Sequence, residues 1–140
     1  MKILANDGLS QSGIDVLTEA SFEVITTNIA QEQLIPYIND HKITVLLVRS
    51  ATTARKELID SCPSLKIIGR GGVGMDNIDV EYAREKGLSV INTPAASSSS
   101  VAELVFAHLF GGVRFLFDSN RNMPLEGESN FKGLKKAYAK

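Results

Sequence analysis

The chain has little cysteine, no tryptophan, few prolines and no surplus of either charge, and each scarcity excludes something. Cys62 is the only cysteine among 140 residues, which rules out an intramolecular disulfide and a cysteine metal cluster. Lying just before Pro63, its thiol reads as a reduced structural group and not as a nucleophile. Fifteen Lys and Arg face sixteen Asp and Glu, a formal net charge of −1, and aromatics make up 6%. Such a chain has no basic patch interleaved with aromatic rings for nucleic acid, and no polybasic helix for a membrane surface. MKILANDG at the N-terminus lacks the apolar core of a signal peptide. The most apolar stretch, Val101 to Phe117, is interrupted by Glu103, His108 and Arg114, which argues against a membrane span. What remains is an ordinary globular protein, expected in the reducing cytoplasm and long enough for a real core.

What the sequence does have is alternation. KILAN (2–6), EVITT (23–27), TVLLVRS (44–50), LKIIG (65–69) and LSVINTP (88–94) are short apolar or β-branched runs that read as strands. The third is apolar without interruption up to Arg49, as in a strand buried on both faces. Helical spacing separates the runs. Ser10 is a cap ahead of Ile14, Val16 and Leu17; Ile29, Leu34, Ile35 and Ile38 mark a helix over 30–40; Leu58 and Ile59 mark a third. A fourth, through Val80, Tyr82 and Ala83, stops at Gly87. Short strands alternating with short helices predict an α/β fold: a flavodoxin-like, doubly wound parallel sheet of five strands in order 2-1-3-4-5.

After Pro94 the character changes. AASSSS (95–100) is a small-residue turn, and Ser100 with Glu103 forms a capping box. A long helix is expected over roughly 101–117, apolar nearly all round and weakened at Gly111-Gly112. From Asp118 the chain is polar and basic and reads as a tail. The expected division is therefore 1–96, 97–117 and 118–140. A helix that wants partners on several sides, followed by sequence that supplies none, reads as part of something larger.

The segment LKIIGRGGVGMDNID (65–79) contains G-x-G-x-x-G at Gly69 to Gly74. A dinucleotide cradle needs a preceding strand, a helix opening within the glycines, and an acidic residue ending the next strand. Only the first is met. Asp76 and Asp79 intervene, Asp79 is the better helix cap, and the next strand ends Val90-Ile91-Asn92-Thr93. The glycines instead suit a nest of converging amides that binds a small anion at the carboxyl end of a parallel strand. Arg49-Ser50 and Asn92-Thr93 end the neighbouring strands, and arginine forks suit carboxylate or phosphate.

LLVRSAT (46–52), KIIGRGGVGMDNID (66–79), GLSVINTP (87–94) and SSSVAELVFAHL (98–109), in this order and spacing, resemble the D-isomer-specific 2-hydroxyacid dehydrogenases. The phosphoglycerate-oxidising members come nearest. The resemblance implies that residues 1–96 are a substrate-binding domain, without the C-terminal helix that in the family returns to complete it. It makes 97–117 a connector towards an NAD-binding domain. It assigns the amides of Gly72 and Val73 to the substrate carboxylate, with Val73 also near the nicotinamide of NAD. Arg49 and Ser50, assisted by Arg70, would hold the substrate phosphate, and Asn92 would lie at the cleft floor. The family's catalytic histidine, its glutamate, a catalytic arginine and the true dinucleotide fingerprint have no counterpart here. His41 and His108 match none of these positions and read as structural or exposed, and no metal site is expected.

The activity implied is oxidation of D-3-phosphoglycerate to 3-phosphohydroxypyruvate, the entry to serine biosynthesis, with this segment alone inactive. The implied partners are a small anionic 2-hydroxy acid and further copies of the chain. Two alternatives stay open: another 2-hydroxy acid of the glycerate, glyoxylate or lactate type, and a non-catalytic flavodoxin-like binding or regulatory module.

Overall fold

The computed structural model describes residues 1–139. The chain divides into two compact units, Met1–Ala96 and Ser97–Lys140, each described by itself.

In the first unit, β1 (Lys2–Ala5), β2 (Glu23–Ile25), β3 (Val45–Val48), β4 (Ile67–Arg70) and β5 (Ser89–Asn92) alternate with four helices. These are α1 (Gln11–Glu19), α2 (Gln31–His41), α3 (Lys56–Ser61) and α4 (Val80–Glu85). All strand pairs are parallel and the order is β2-β1-β3-β4-β5, as the alternation predicts. The register explains the core. Leu4, Leu46, Ile68 and Val90 are successive partners across the sheet, and all four are buried. This row packs with Leu34, Ile38, Leu58, Ile59 and Ala83 from α2, α3 and α4. Right-handed crossovers place those three helices on one face and leave α1 alone on the other. The second face is therefore thinly covered: α1 buries no residue completely, and Ile91 on β5 is 56% exposed.

Local signals account for the helix ends. Ser10 Oγ accepts the Gly13 N–H at the start of α1, as expected. Asp79 stands at the start of α4 but does not cap it. Its carboxylate instead accepts Arg55 Nη1 and the Lys56 N–H, each at 3.0 Å, so it closes the first turn of α3. His41 ends α2 with its ring stacked on Tyr37, centroids 4.0 Å apart, a structural place.

The second unit holds α5 (Ser98–Val113) and α6 (Leu116–Tyr138), bent by 50° relative to one another. It corrects three expectations. First, α5 begins at Ser98 after Ser97, with no side-chain cap bond, so Ser100 lies inside the helix and not at its cap. Second, Gly111-Gly112 stay helical, and the break falls at Phe115, whose φ of 52° is left-handed. Third, the stretch read as a polar tail is helical, kinked at Asn130. Asn122 Nδ2 donates to the Tyr138 hydroxyl at 2.6 Å and Leu134 is buried, contacts that sequence spacing did not announce. Along α5, Val101, Leu104, Val105, Phe106, Leu109, Phe110 and Val113 are all more than half exposed. Among the described residues no single helix is long and apolar enough to cross a membrane.

Candidate functional site

The carboxyl ends of β1, β3, β4 and β5 converge on one edge of the sheet, where ligands bind in open α/β folds. β1 delivers Asn6 and Asp7. Asn6 is buried, donating Nδ2 to Ile29 O at 3.0 Å and Thr52 Oγ1 at 2.8 Å and accepting the Ile29 N–H at 2.8 Å. The Asp7 carboxylate accepts the Arg49 N–H at 2.6 Å, the Thr52 N–H at 3.1 Å and the Thr52 hydroxyl. Burial pushes the Asp7 carboxyl up, but these bonds favour its charged form and together hold it below the ordinary aspartate value.

β3 delivers Arg49-Ser50-Ala51-Thr52, a loop fixed from both sides. Opposite Asp7, Asn77 Nδ2 donates to Arg49 O at 2.9 Å and Thr52 O at 2.6 Å, and Arg70 Nε donates to Arg49 O at 3.2 Å. The Arg49 guanidinium, by contrast, is exposed and has no hydrogen-bond partner among the described residues.

β4 delivers Arg70 and the glycine loop. Gly71 N–H bonds Val48 O at 2.9 Å, and Gly72 N–H closes a tight turn onto Arg70 O at 3.0 Å. Asn92 Nδ2, at the end of β5, donates to Val73 O at 2.7 Å, and the Thr93 N–H donates to Gly72 O at 3.1 Å. Among the described residues the amides of Val73 and Gly74 have no acceptor. The amide of Gly72, expected to face the ligand, donates within the loop to Arg70 O. The first helical residue after the loop is Val80, too late for a helix N-terminus to meet a pyrophosphate at the glycines.

Arg49, Ser50, Arg70, Gly72, Val73 and Asn92 thus all lie at this edge. A cleft of about 670 Å³ runs from Asp7, Arg49, Gly71 and Asn92 down onto Leu47 and Ile91 of the thinly covered face. A second, of about 530 Å³, opens between Arg49, Ser50, Thr26 and Asn28. Arg49 borders both. Among the described residues no group of three or more His, Cys, Asp or Glu is placed to hold a metal. Sequence reasoning missed Thr52, Asp76 and Asn77. Their signal was a strand-terminal VRSAT facing a DNID segment, which shows a hydrogen-bonded pair of loops only once the sheet order is known.

A domain model described as "D-isomer specific 2-hydroxyacid dehydrogenase, catalytic domain" matches residues 3–132. D-3-phosphoglycerate dehydrogenase of Methanocaldococcus jannaschii is 40% identical in an alignment of 137 residues that covers 96% of this chain and 26% of that protein. Hydroxypyruvate reductase of Thermotoga maritima is 36% identical over 135 residues, 96% of this chain and 43% of that protein. The NAD⁺-bound 3-phosphoglycerate dehydrogenase of Entamoeba histolytica superposes with a TM-score of 0.64 at 31% identity, over 81% of this chain and 39% of that one. The chain spans less than half the length of each relative. With the family model matched over nearly all of its residues, the chain belongs to the D-isomer-specific 2-hydroxyacid dehydrogenases.

Proposed function

We propose that this chain is the substrate-binding part of an NAD-dependent dehydrogenase that oxidises D-3-phosphoglycerate to 3-phosphohydroxypyruvate, the entry to serine biosynthesis in the cytoplasm. The observation that carries the reading is an exposed Arg49 guanidinium, without a partner among the described residues, on a loop whose backbone is fixed, beside a glycine loop with two amides that meet no acceptor among those residues. The two loops touch: a Cβ added at Gly71 would lie 3.6 Å from Arg49 Cγ. A substrate with an anion at each end fits such a pair. The free amides of Val73 and Gly74 take the carboxylate, and Arg49 with the Ser50 hydroxyl takes the phosphate. Asn92 holds the glycine loop in shape through Val73 O, and the exposed Val73 side chain borders the nicotinamide.

In the reaction the C2 hydride passes to NAD and the hydroxyl proton to a base, giving the keto acid and NADH. This chain supplies neither the base nor the NAD fingerprint. Its contribution is orientation, which in enzymes is worth several kcal/mol of a barrier, and alone it is inactive. The apolar surface of α5 makes further copies of the chain the expected partners.

The 36% identity to a hydroxypyruvate reductase favours a second reading, an unphosphorylated 2-hydroxy or 2-oxo acid. A panel of 3-phosphoglycerate, glycerate and lactate with NAD and NADP, run on the whole protein, separates the two. A preference for 3-phosphoglycerate of at least about tenfold in kcat/KM (about 1.4 kcal/mol) supports the first reading, and preference for glycerate or lactate sinks it.

A further inference from the structure

We propose that Arg70 and Asp76 form a strut that sets the spacing between the Arg49 loop and the glycine loop, so that Arg70 acts as a positioning residue and does not hold the substrate's anion. The inference rests on the substrate-binding reading above.

Two donors of Arg70 are already engaged, one by the Arg49 backbone and one by Asp76, whose own side chain is 86% exposed. Nε meets Arg49 O at 3.2 Å and Nη1 meets the Asp76 carboxylate at 2.6 Å, while only 14% of the side chain is exposed. The glycine loop is folded around this guanidinium. A Cβ added at Gly72 would lie 3.6 Å from Arg70 Nε, and one at Gly74 would lie 3.2 Å from Nη1 and 3.3 Å from Asp76 Oδ1. At Gly72 a Cβ would make ordinary contact, whereas at Gly74 it would crowd both charged groups by a few tenths of an ångström. An incoming anion would compete with the Asp76 carboxylate for Nη1 and with Arg49 O for Nε. The Arg49 guanidinium has no such competitor among the described residues.

The residue after Asp76 points to the same role. Asn77 donates to Arg49 O and Thr52 O, so the 76–77 segment grips the Arg49 loop directly and, through Arg70, the same Arg49 carbonyl again. Both anion-holding elements are therefore referred to one short segment. The arrangement works as a ruler: it fixes the separation between the free amides of Val73 and Gly74 and the root of the Arg49 side chain. Substrates whose two anionic groups match that separation are favoured over shorter or longer ones.

The test exploits a conflict of signs. Removing a carboxylate beside an anion-binding arginine strengthens anion binding, whereas removing one end of a strut weakens it. Inorganic phosphate is titrated by NMR into the whole protein carrying Asp76→Asn, Asp76→Glu or Arg70→Lys, and amide exchange is followed at Ser50 and Ala51. The strut predicts that D76N weakens phosphate at least about fivefold (about 1 kcal/mol) with unchanged far-UV circular dichroism. It also predicts that D76E recovers most of the loss, and that R70K, which keeps the charge but cannot span both acceptors, behaves like D76N. Tighter or unchanged binding in D76N, or wild-type affinity in R70K, overturns it. If the wild type binds no phosphate, the substrate-binding reading fails and exchange decides the strut: faster exchange at Ser50 and Ala51 in D76N upholds it, and unchanged exchange rejects it.

Discussion

The Asp7 carboxylate accepts the backbone N–H of Arg49 at 2.6 Å across 42 residues of sequence, joining the end of β1 to the loop after β3. The same carboxylate takes the Thr52 N–H and hydroxyl, so one side chain fixes both ends of that loop. Charge-assisted bonds of this kind contribute more than neutral ones, and Asp7→Ala should destabilise the chain by about 2 kcal/mol in urea unfolding. The pH dependence follows in sign. With its carboxyl held below the ordinary aspartate value, Asp7 adds stability that is complete above that value and is lost as pH falls through it and below. The acid limb of a stability curve should therefore flatten in D7A. An unchanged limb would show that Asp7 is not the group responsible.

Cys62 gives the opposite sign. Its side chain is 1% exposed, and burial pushes the thiol from 9.0 up to about 11, because the thiolate loses its hydration. Iodoacetamide at pH 8 should label the folded chain at least about a hundredfold more slowly than the urea-unfolded chain. The folded state holds this proton more tightly, so the associated stability is retained below about pH 9 and declines between pH 9 and 11. Equal labelling rates in the two states would contradict the burial.

How much of this was legible in the sequence depended on how local the cause was. The five strands show as apolar runs because a parallel sheet covered on its principal face needs them, and the order follows from crossover handedness. Arg49, Arg70 and Asn92 were visible as polar residues ending those runs. The roles of Thr52, Asp76 and Asn77 were not, because their partners lie 45, six and 28 residues away, and nothing local distinguishes a tethering Asn from a turn Asn. The engagement of the Gly72 amide escaped for the same reason, since glycine permits many loop geometries and selects none. In the second unit, Pro124 and Gly127 with a polar majority hid α6, whose anchoring through Leu134 and Tyr138 depends on tertiary contacts and not on propensity.

The exposed face of α5 makes a prediction about association. Phe106 and Phe110 stack with centroids 6.0 Å apart and are each more than half exposed, among seven apolar side chains of α5 that are all more than half exposed, and contiguous exposed apolar surface commonly marks an interaction site. In sedimentation or light scattering the chain should give a mass above 15.2 kDa that falls on dilution. Phe106→Glu with Phe110→Glu should lower that mass at constant concentration. A strictly monomeric wild type over the micromolar range would refute self-association through this helix.

Arg49 offers a separate test of substrate class because its backbone and its side chain serve different ends. The backbone N–H and C=O are fixed by Asp7, Asn77 and Arg70, bonds that any residue but proline can make at this position. The guanidinium lies in solvent without a partner among the described residues, and removing it creates no cavity and leaves no buried group unsatisfied. Arg49→Gln should therefore change unfolding stability by less than about 0.5 kcal/mol. Its effect on a phosphorylated substrate should be much larger, because a charge-assisted fork to phosphate contributes about 1.5–3 kcal/mol, or roughly ten- to a hundredfold in kcat/KM for 3-phosphoglycerate in the whole enzyme. Glycerate, lacking the phosphate, should lose far less, and the ratio of the two losses measures how much of the recognition passes through this one side chain. Equal losses on both substrates would place Arg49 on the carboxylate common to them, and the substrate would then be bound in the reverse orientation.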